Sequence, residues 1–375
     1  MNSILNEVAM LRKDKSLVID RSNKNRYRLV MQEIDGTKNA YYFSIPIYNE
    51  SFRNLLDLKF HNQGNTSKLI GSNSNIVLGN TILLENYQGN CQITMPKGYR
   101  FQNEHCISYQ GAEVYPTTNG IALQVDLDMK KQYRFRLKTG RSFYQIRNNN
   151  KYFSLMSEKH KPFLTVSCIG SLYQNRDLFA PAEIKYQKIS DKEYEITVYS
   201  SSPHAKKILF EINLQEQKLF QDTTVESKHP KQNNAFGGTA FIGSSASFGE
   251  QWLYARPDFS ILNDLLGKSI HKVYLYIPLL HRNDMKLMTV ALSTRFCSFG
   301  STWDNKKAGS QKTNLSEIVS GYHKIDITEM ITHNQRLLTT SEGWIIKSAV
   351  KSSGFSAIST GDSFYAPQIL EVIFQ

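Results

Sequence analysis

The chain has 375 residues, a formal charge of +12, and 40% hydrophobic and 11% aromatic residues, which is ample material for folded cores and excludes a wholly disordered polyelectrolyte. Its length suits two or three domains, and a composition shift near residue 220 favours two. No run approaches the ~20 apolar residues that span a bilayer as a helix, and Cys91, Cys106, Cys168 and Cys297 form no C-x-x-C pair, so neither a zinc knuckle nor a redox dithiol is indicated.

Met1 to Leu11 lacks the basic start and long apolar core of a signal peptide, and Arg12-Lys13-Asp14-Lys15 follows at once. Ile4, Leu5, Val8, Ala9 and Leu11 have helical spacing behind Ser3, which predicts a short helical tail over residues 1–20. From Arg26 the period changes to two. Strands are expected at Tyr41 to Ile47, Leu56 to Phe60, Ser67 to Ile70, Asn75 to Leu78, Thr81 to Leu84 and Gln92 to Met95. Asn62-Gln63-Gly64-Asn65 and Gln88-Gly89-Asn90 supply turn chemistry between them.

Tyr133-Arg134-Phe135-Arg136-Leu137-Lys138 alternates apolar and basic residues, the pattern of a half-buried strand. Further strands are expected at Glu183 to Lys188, Glu193 to Tyr199 and Lys207 to Leu214. Asp128 to Phe163 carries ten Lys or Arg against two acids. A basic face of Arg134, Arg136, Lys138 and Arg141 beside Tyr144, Tyr152 and Phe153 is therefore a candidate surface for a polyanion. A solvated face that guards a strand against edge pairing is the other reading.

After Phe220 come Gln221-Asp222-Thr223-Thr224-Val225, then Gly237-Gly238-Thr239-Ala240-Phe241-Ile242-Gly243 and Lys272-Val273-Tyr274-Leu275-Tyr276-Ile277. Ser301-Thr302-Trp303-Asp304-Asn305, Lys324-Ile325-Asp326-Ile327-Thr328, Glu342-Gly343-Trp344-Ile345-Ile346-Lys347 and Ala366-Pro367-Gln368-Ile369-Leu370-Glu371-Val372 complete the order. This series resembles the DNRLRE domain, a module of secreted and wall-associated bacterial proteins that is similar to a carbohydrate-binding module family. Ile331-Thr332-His333-Asn334 stands where the family pattern has a Trp. The resemblance implies a non-catalytic role at a bacterial surface, outside the cell or in a particle.

The expected fold is all-β, with two packed β-sandwich, jelly-roll-like modules over residues 21–217 and 218–375. One short helix is expected from Thr328 to Thr332, with Asp326 accepting backbone N–H groups and Asp222 fixing the first strand. No catalytic constellation is evident. Gly243-Ser244-Ser245-Ala246-Ser247 misses the G-x-S-x-G spacing, and Gly361-Asp362-Ser363 is a turn between strands. No cofactor or metal is implied, since the acids lack calcium-loop spacing.

The favoured ligand is an anionic polysaccharide or wall polymer, held by Arg256, Arg282, Arg295 and Lys347 with Trp303 as platform. Nucleic acid is not singled out. The alternative is a structural subunit of a surface or phage-like particle whose modules bind other proteins, a role that fits the missing leader.

Overall fold

The computed structural model describes residues 25–375 apart from 49–55, 57, 65, 71, 73, 96–99, 104–105, 110–111, 159–160, 174–177, 216, 282–284, 293–295, 311–312, 333–342 and 351–353; before residue 25 it describes Val8, Leu11, Val18 and Ile19. Among the described residues 58% lie in strands and 4% in helix, and the strands form three antiparallel sheets. The expected N-terminal helix falls mostly outside these residues; Val8 and Leu11 are helical.

The chain divides into two compact units. The first comprises residues 56–216 with 236–238. One of its sheets runs Glu183–Ser190, Glu193–Tyr199, Gln132–Thr139, Gly89–Thr94, Ile82–Asn86, Asn75–Leu78, Ser67–Ile70, Lys59–Asn62. The other is centred on Lys161–Leu172, Lys207–Leu214, Gly120–Asp126 and Ala112–Thr117. Period two places Ile93, Leu137 and Ile196 of the first sheet against Leu123, Val166 and Phe210 of the second in one core. Phe135 stacks on Phe210 across it, with ring centroids 5.5 Å apart. That is a β-sandwich.

The second unit comprises residues 2–55, 217–235 and 239–375. One layer runs Arg28–Gln32, Lys38–Phe43, Ile369–Phe374, Ile270–Pro278, Tyr322–Asp326. The other holds Leu287–Ala291, Trp344–Ser348, Gly249–Pro257, Thr239–Ser245 and Gly354–Ser359, with Phe220–Glu226 along Gly249–Pro257. The strand Thr313–Val319 serves both layers. Its Thr313 to Leu315 pair with Val290 to Met288, and its Ser316 to Val319 pair with Ile325 to Tyr322. A strand that turns the corner between sheets joins the two layers into one sandwich. Ala40, Leu253, Leu275, Trp344, Ile346 and Leu370 fill the core between them.

The expected span 21–217 for the first module differs from this division. Arg28–Gln32 and Lys38–Phe43 join the second unit, Lys38 to Phe43 pairing with Phe374 to Ile369. A strand's period predicts its two faces but not its neighbour. Here Tyr41 donates its phenol to the buried Glu371 carboxylate at 2.7 Å, and Tyr276 donates to the same carboxylate at 2.8 Å. Arg28 and Tyr42 both reach Asp264, each at 2.7 Å, which fixes the far side of the pair. No helix among the described residues is long and apolar enough to cross a membrane.

Candidate functional site

The outer surface of one layer of the second unit carries the densest group of the residues expected to bind. In Gly249–Pro257 the core takes Leu253 and Ala255, so Trp252, Tyr254 and Arg256 point the other way. Across the neighbouring strands Val225, Val290 and Ile345 share that outward side, and Met288 and Lys347 follow in register, directly paired. An apolar outer face on a sheet must be covered, and here Leu292, Phe296 and Trp303 do so.

The covering loop is anchored at several points. Asn233 donates its side-chain amide to the carbonyls of Ser298 at 2.6 Å and Ser301 at 2.8 Å. Asp304 N–H donates to the Pro230 carbonyl at 3.0 Å, and the Tyr254 hydroxyl donates to the Lys307 carbonyl at 2.7 Å. Inside the loop, Thr302 N–H donates to the Asn305 side chain, which in turn donates to the Gly300 carbonyl. Trp303 is thereby held at a fixed place.

Its ring lies 5.2 Å from that of Trp252, tilted by 55°. Lys306 Nζ sits 4.2 Å from the Trp303 centroid, and Lys347 Nζ sits 5.1 Å from that of Trp252. Both are cation–π distances. Trp252 Nε1 donates to Glu250 at 2.7 Å, which fixes the rotation of the indole. All four side chains are half-buried, so two aromatic rings and two ammonium groups share one partly solvated patch.

The structure thus brings together Trp303 and Lys347 and adds Trp252 and Lys306. Their signals are present in the sequence: Trp252, Tyr254 and Arg256 alternate as one strand face, and Lys306 follows Trp303 by three residues. Arg256 has a different place from that expected. It is buried below Phe296, its guanidinium carbon 5.9 Å from that ring, and its Nη2 donates to Gln221. Burial makes it a support for the covering loop and removes it from a ligand's reach. Arg282 and Arg295 lie outside the described residues.

The basic strand of the first unit exposes Arg134, Arg136 and Lys138 as its alternation predicts, while Phe135 and Leu137 are buried. The face is nonetheless mixed in charge. Arg136 pairs with Glu193 at 3.7 Å and Arg134 with Glu195 at 4.0 Å on the next strand. Arg141 leaves the strand and stacks its guanidinium near Phe143 at 5.4 Å and Phe163 at 6.0 Å.

Asp326 accepts from Thr328 N–H at 2.9 Å at the start of the helix Thr328–Thr332 and pairs with Lys272 at 3.2 Å. No group of three or more His, Cys, Asp or Glu placed to hold a metal occurs among the described residues. Cys91, Cys168 and Cys297 are free thiols; Cys91 and Cys168 are buried, and burial pushes both thiols up, away from the reactive thiolate. Compared with protein-family models and with curated proteins, the chain matches none.

Proposed function

We infer that this is a non-catalytic binding protein of a bacterial surface that recognises an anionic polysaccharide or wall polymer through Trp252, Trp303, Lys306 and Lys347. The observation that carries this reading is the sharing of one patch by two indoles and two ammonium groups. Indole faces bury the C–H surface of a sugar ring, and lysine ammoniums meet carboxylate or phosphate substituents. The resemblance to the DNRLRE module is a second support, because its segments from Phe220 onward supply the strands and the loop that build the patch. Affinity electrophoresis through gels containing an alginate-like polyuronate or a teichoic acid tests the reading. Wild type should be retarded and Trp252→Ala with Trp303→Ala should run freely; equal mobility of both proteins would refute it.

A structural subunit of a surface or phage-like particle is the second reading. It draws on the exposed face of Arg134, Arg136 and Lys138, where glutamates alternate with the cations and suit a protein of mixed charge better than a polyanion. Light scattering at rising concentration tests it: self-association or co-assembly lost in an Arg134→Glu, Arg136→Glu protein would favour the particle. A monomer throughout, alone or with candidate shell proteins, would dismiss it.

A further inference from the structure

The second unit also gathers a lysine and two aspartates whose side chains are largely buried. Lys218 stands just before the strand Phe220–Glu226, Asp222 lies within that strand, and Asp362 lies in the loop leading to the strand Ile369–Phe374. Lys218 Nζ touches Asp362 Oδ1, and the two side chains are only 9% and 10% exposed. The same Nζ lies 5.1 Å from the Phe364 ring centroid and 3.4 Å from the Asp362 carbonyl.

Asp222 completes the group. It is 2% exposed, and its Oδ2 accepts the N–H of Gly361, the residue before Asp362. Its Oδ1 has no hydrogen-bond partner among the described residues. Only glycine permits this approach, since a Cβ at position 361 would stand 2.8 Å from both Asp222 Oδ2 and Phe220 Cβ. Burial and the charge of Asp362 raise the Asp222 carboxyl well above the usual carboxylate range, which favours its protonated form.

We propose that Lys218 and Asp362 join in an intramolecular isopeptide bond, with Asp222 relaying the protons. In the step the ammonium proton of Lys218 passes to the Asp362 carboxylate it touches, leaving an amine beside a carboxylic acid. The amine lone pair attacks Asp362 Cγ to form the C–N bond. Asp222 takes the proton from that nitrogen and gives its own to the departing hydroxyl, so the C–O bond breaks and water leaves. Ammonium and carboxylate enter, amide and water emerge, and Asp222 ends protonated as it began. No oxidant or cofactor enters the balance, and fixed contact between the reacting groups replaces a bimolecular encounter. The bond would tie the first strand of the C-terminal segment to the loop before its last strand, 144 residues away, and so shrink the unfolded ensemble as a disulfide does.

Mass spectrometry of the purified full-length protein tests this. Wild type should weigh one water less than its sequence, and a digest should contain a branched peptide that joins Lys218 to Asp362. Lys218→Arg and Asp362→Ala should keep the full mass, and Asp222→Asn should keep it while remaining folded by circular dichroism. Wild type at full mass overturns the proposal whatever the variants do. Loss of water without the branched peptide, as from a succinimide at Asp362, overturns it also. Bond formation in Asp222→Asn would refute the role given to that residue.

Discussion

His323 couples the stability of the second unit to pH. The ring is fully buried, with Nδ1 3.1 Å from Ser316 Oγ and Nε2 3.0 Å from Ser356 Oγ. Ser316 Oγ also accepts the N–H of Leu287 at 2.8 Å, so the neutral ring is held between two serine hydroxyls. Protonating it would place a charge in the core. Burial accordingly lowers the histidine from 6.5 to about 4. Between these values the unfolded chain binds a proton that the native one does not, so stability is complete above pH ~6.5 and falls as pH falls toward ~4. At ~1.4 kcal/mol per pH unit the loss is about 2 kcal/mol by pH ~5 and on the order of 3 kcal/mol in full. For a unit of this size that is a drop in Tm of roughly 2–4 °C per kcal/mol. His323→Gln, followed by thermal melts across this range, should be less stable than wild type at neutral pH but should lose the histidine's share of the slope. A variant whose Tm falls with acid as steeply as wild type would refute the reasoning.

Three further outcomes are expected. Asp326→Ala should cost ~1 kcal/mol by thermal melt through loss of the bond to Thr328 N–H, with polysaccharide binding unchanged; intact stability with lost binding would reverse its assignment. Gly361→Ala should cost about 1–3 kcal/mol, because its Cβ meets Asp222 and Phe220 at 2.8 Å, and urea melts that coincide with wild type would show the loop giving way freely. Changing Arg134, Arg136 and Lys138 together to Gln should alter stability by no more than ~1 kcal/mol, since exposed ion pairs contribute little. On a polyuronate column it should reduce retention less than Lys306→Gln with Lys347→Gln does; the opposite order would move the binding surface to the first unit.

How much of this was legible in the sequence depended on the solvent on each face of a strand. Gln132–Thr139 and Glu193–Tyr199 face water on one side, so their side chains alternate and mark them as strands. Gly120–Asp126 and Lys161–Leu172 are buried on both sides over most of their length, and buried polar residues such as Thr165, Ser167 and Ser171 blur the period further. Strand partners were less visible than strands. Nothing local to Lys38–Phe43 indicates that it pairs with the last strand of the chain, a choice made by Tyr41 and Tyr276 around Glu371. In the candidate site Trp303 and Lys347 could be named from residue type and setting, and Trp252 shares an alternating face with Arg256. That Arg256 would be covered by Phe296 follows from the course of a long loop, which residue spacing does not encode. The contact of Lys218 with Asp362 was equally hidden, since Gly361-Asp362-Ser363 reads locally as a turn.

We propose that Trp303 and its neighbours form a binding surface as well as a cover for Val225, Tyr254 and Ile345. Isothermal titration of an oligouronate into wild type and into Trp303→Ala, with circular dichroism and Tm measured on the same samples, separates the two roles. Saturable binding by wild type that weakens with salt is expected, with at least about a fivefold loss in the variant at ~1–3 kcal/mol for a stacked ring, by analogy with base–aromatic stacking. Binding by a folded Trp303→Ala protein that matches wild type in affinity and salt dependence would contradict it and leave Trp303 as packing alone.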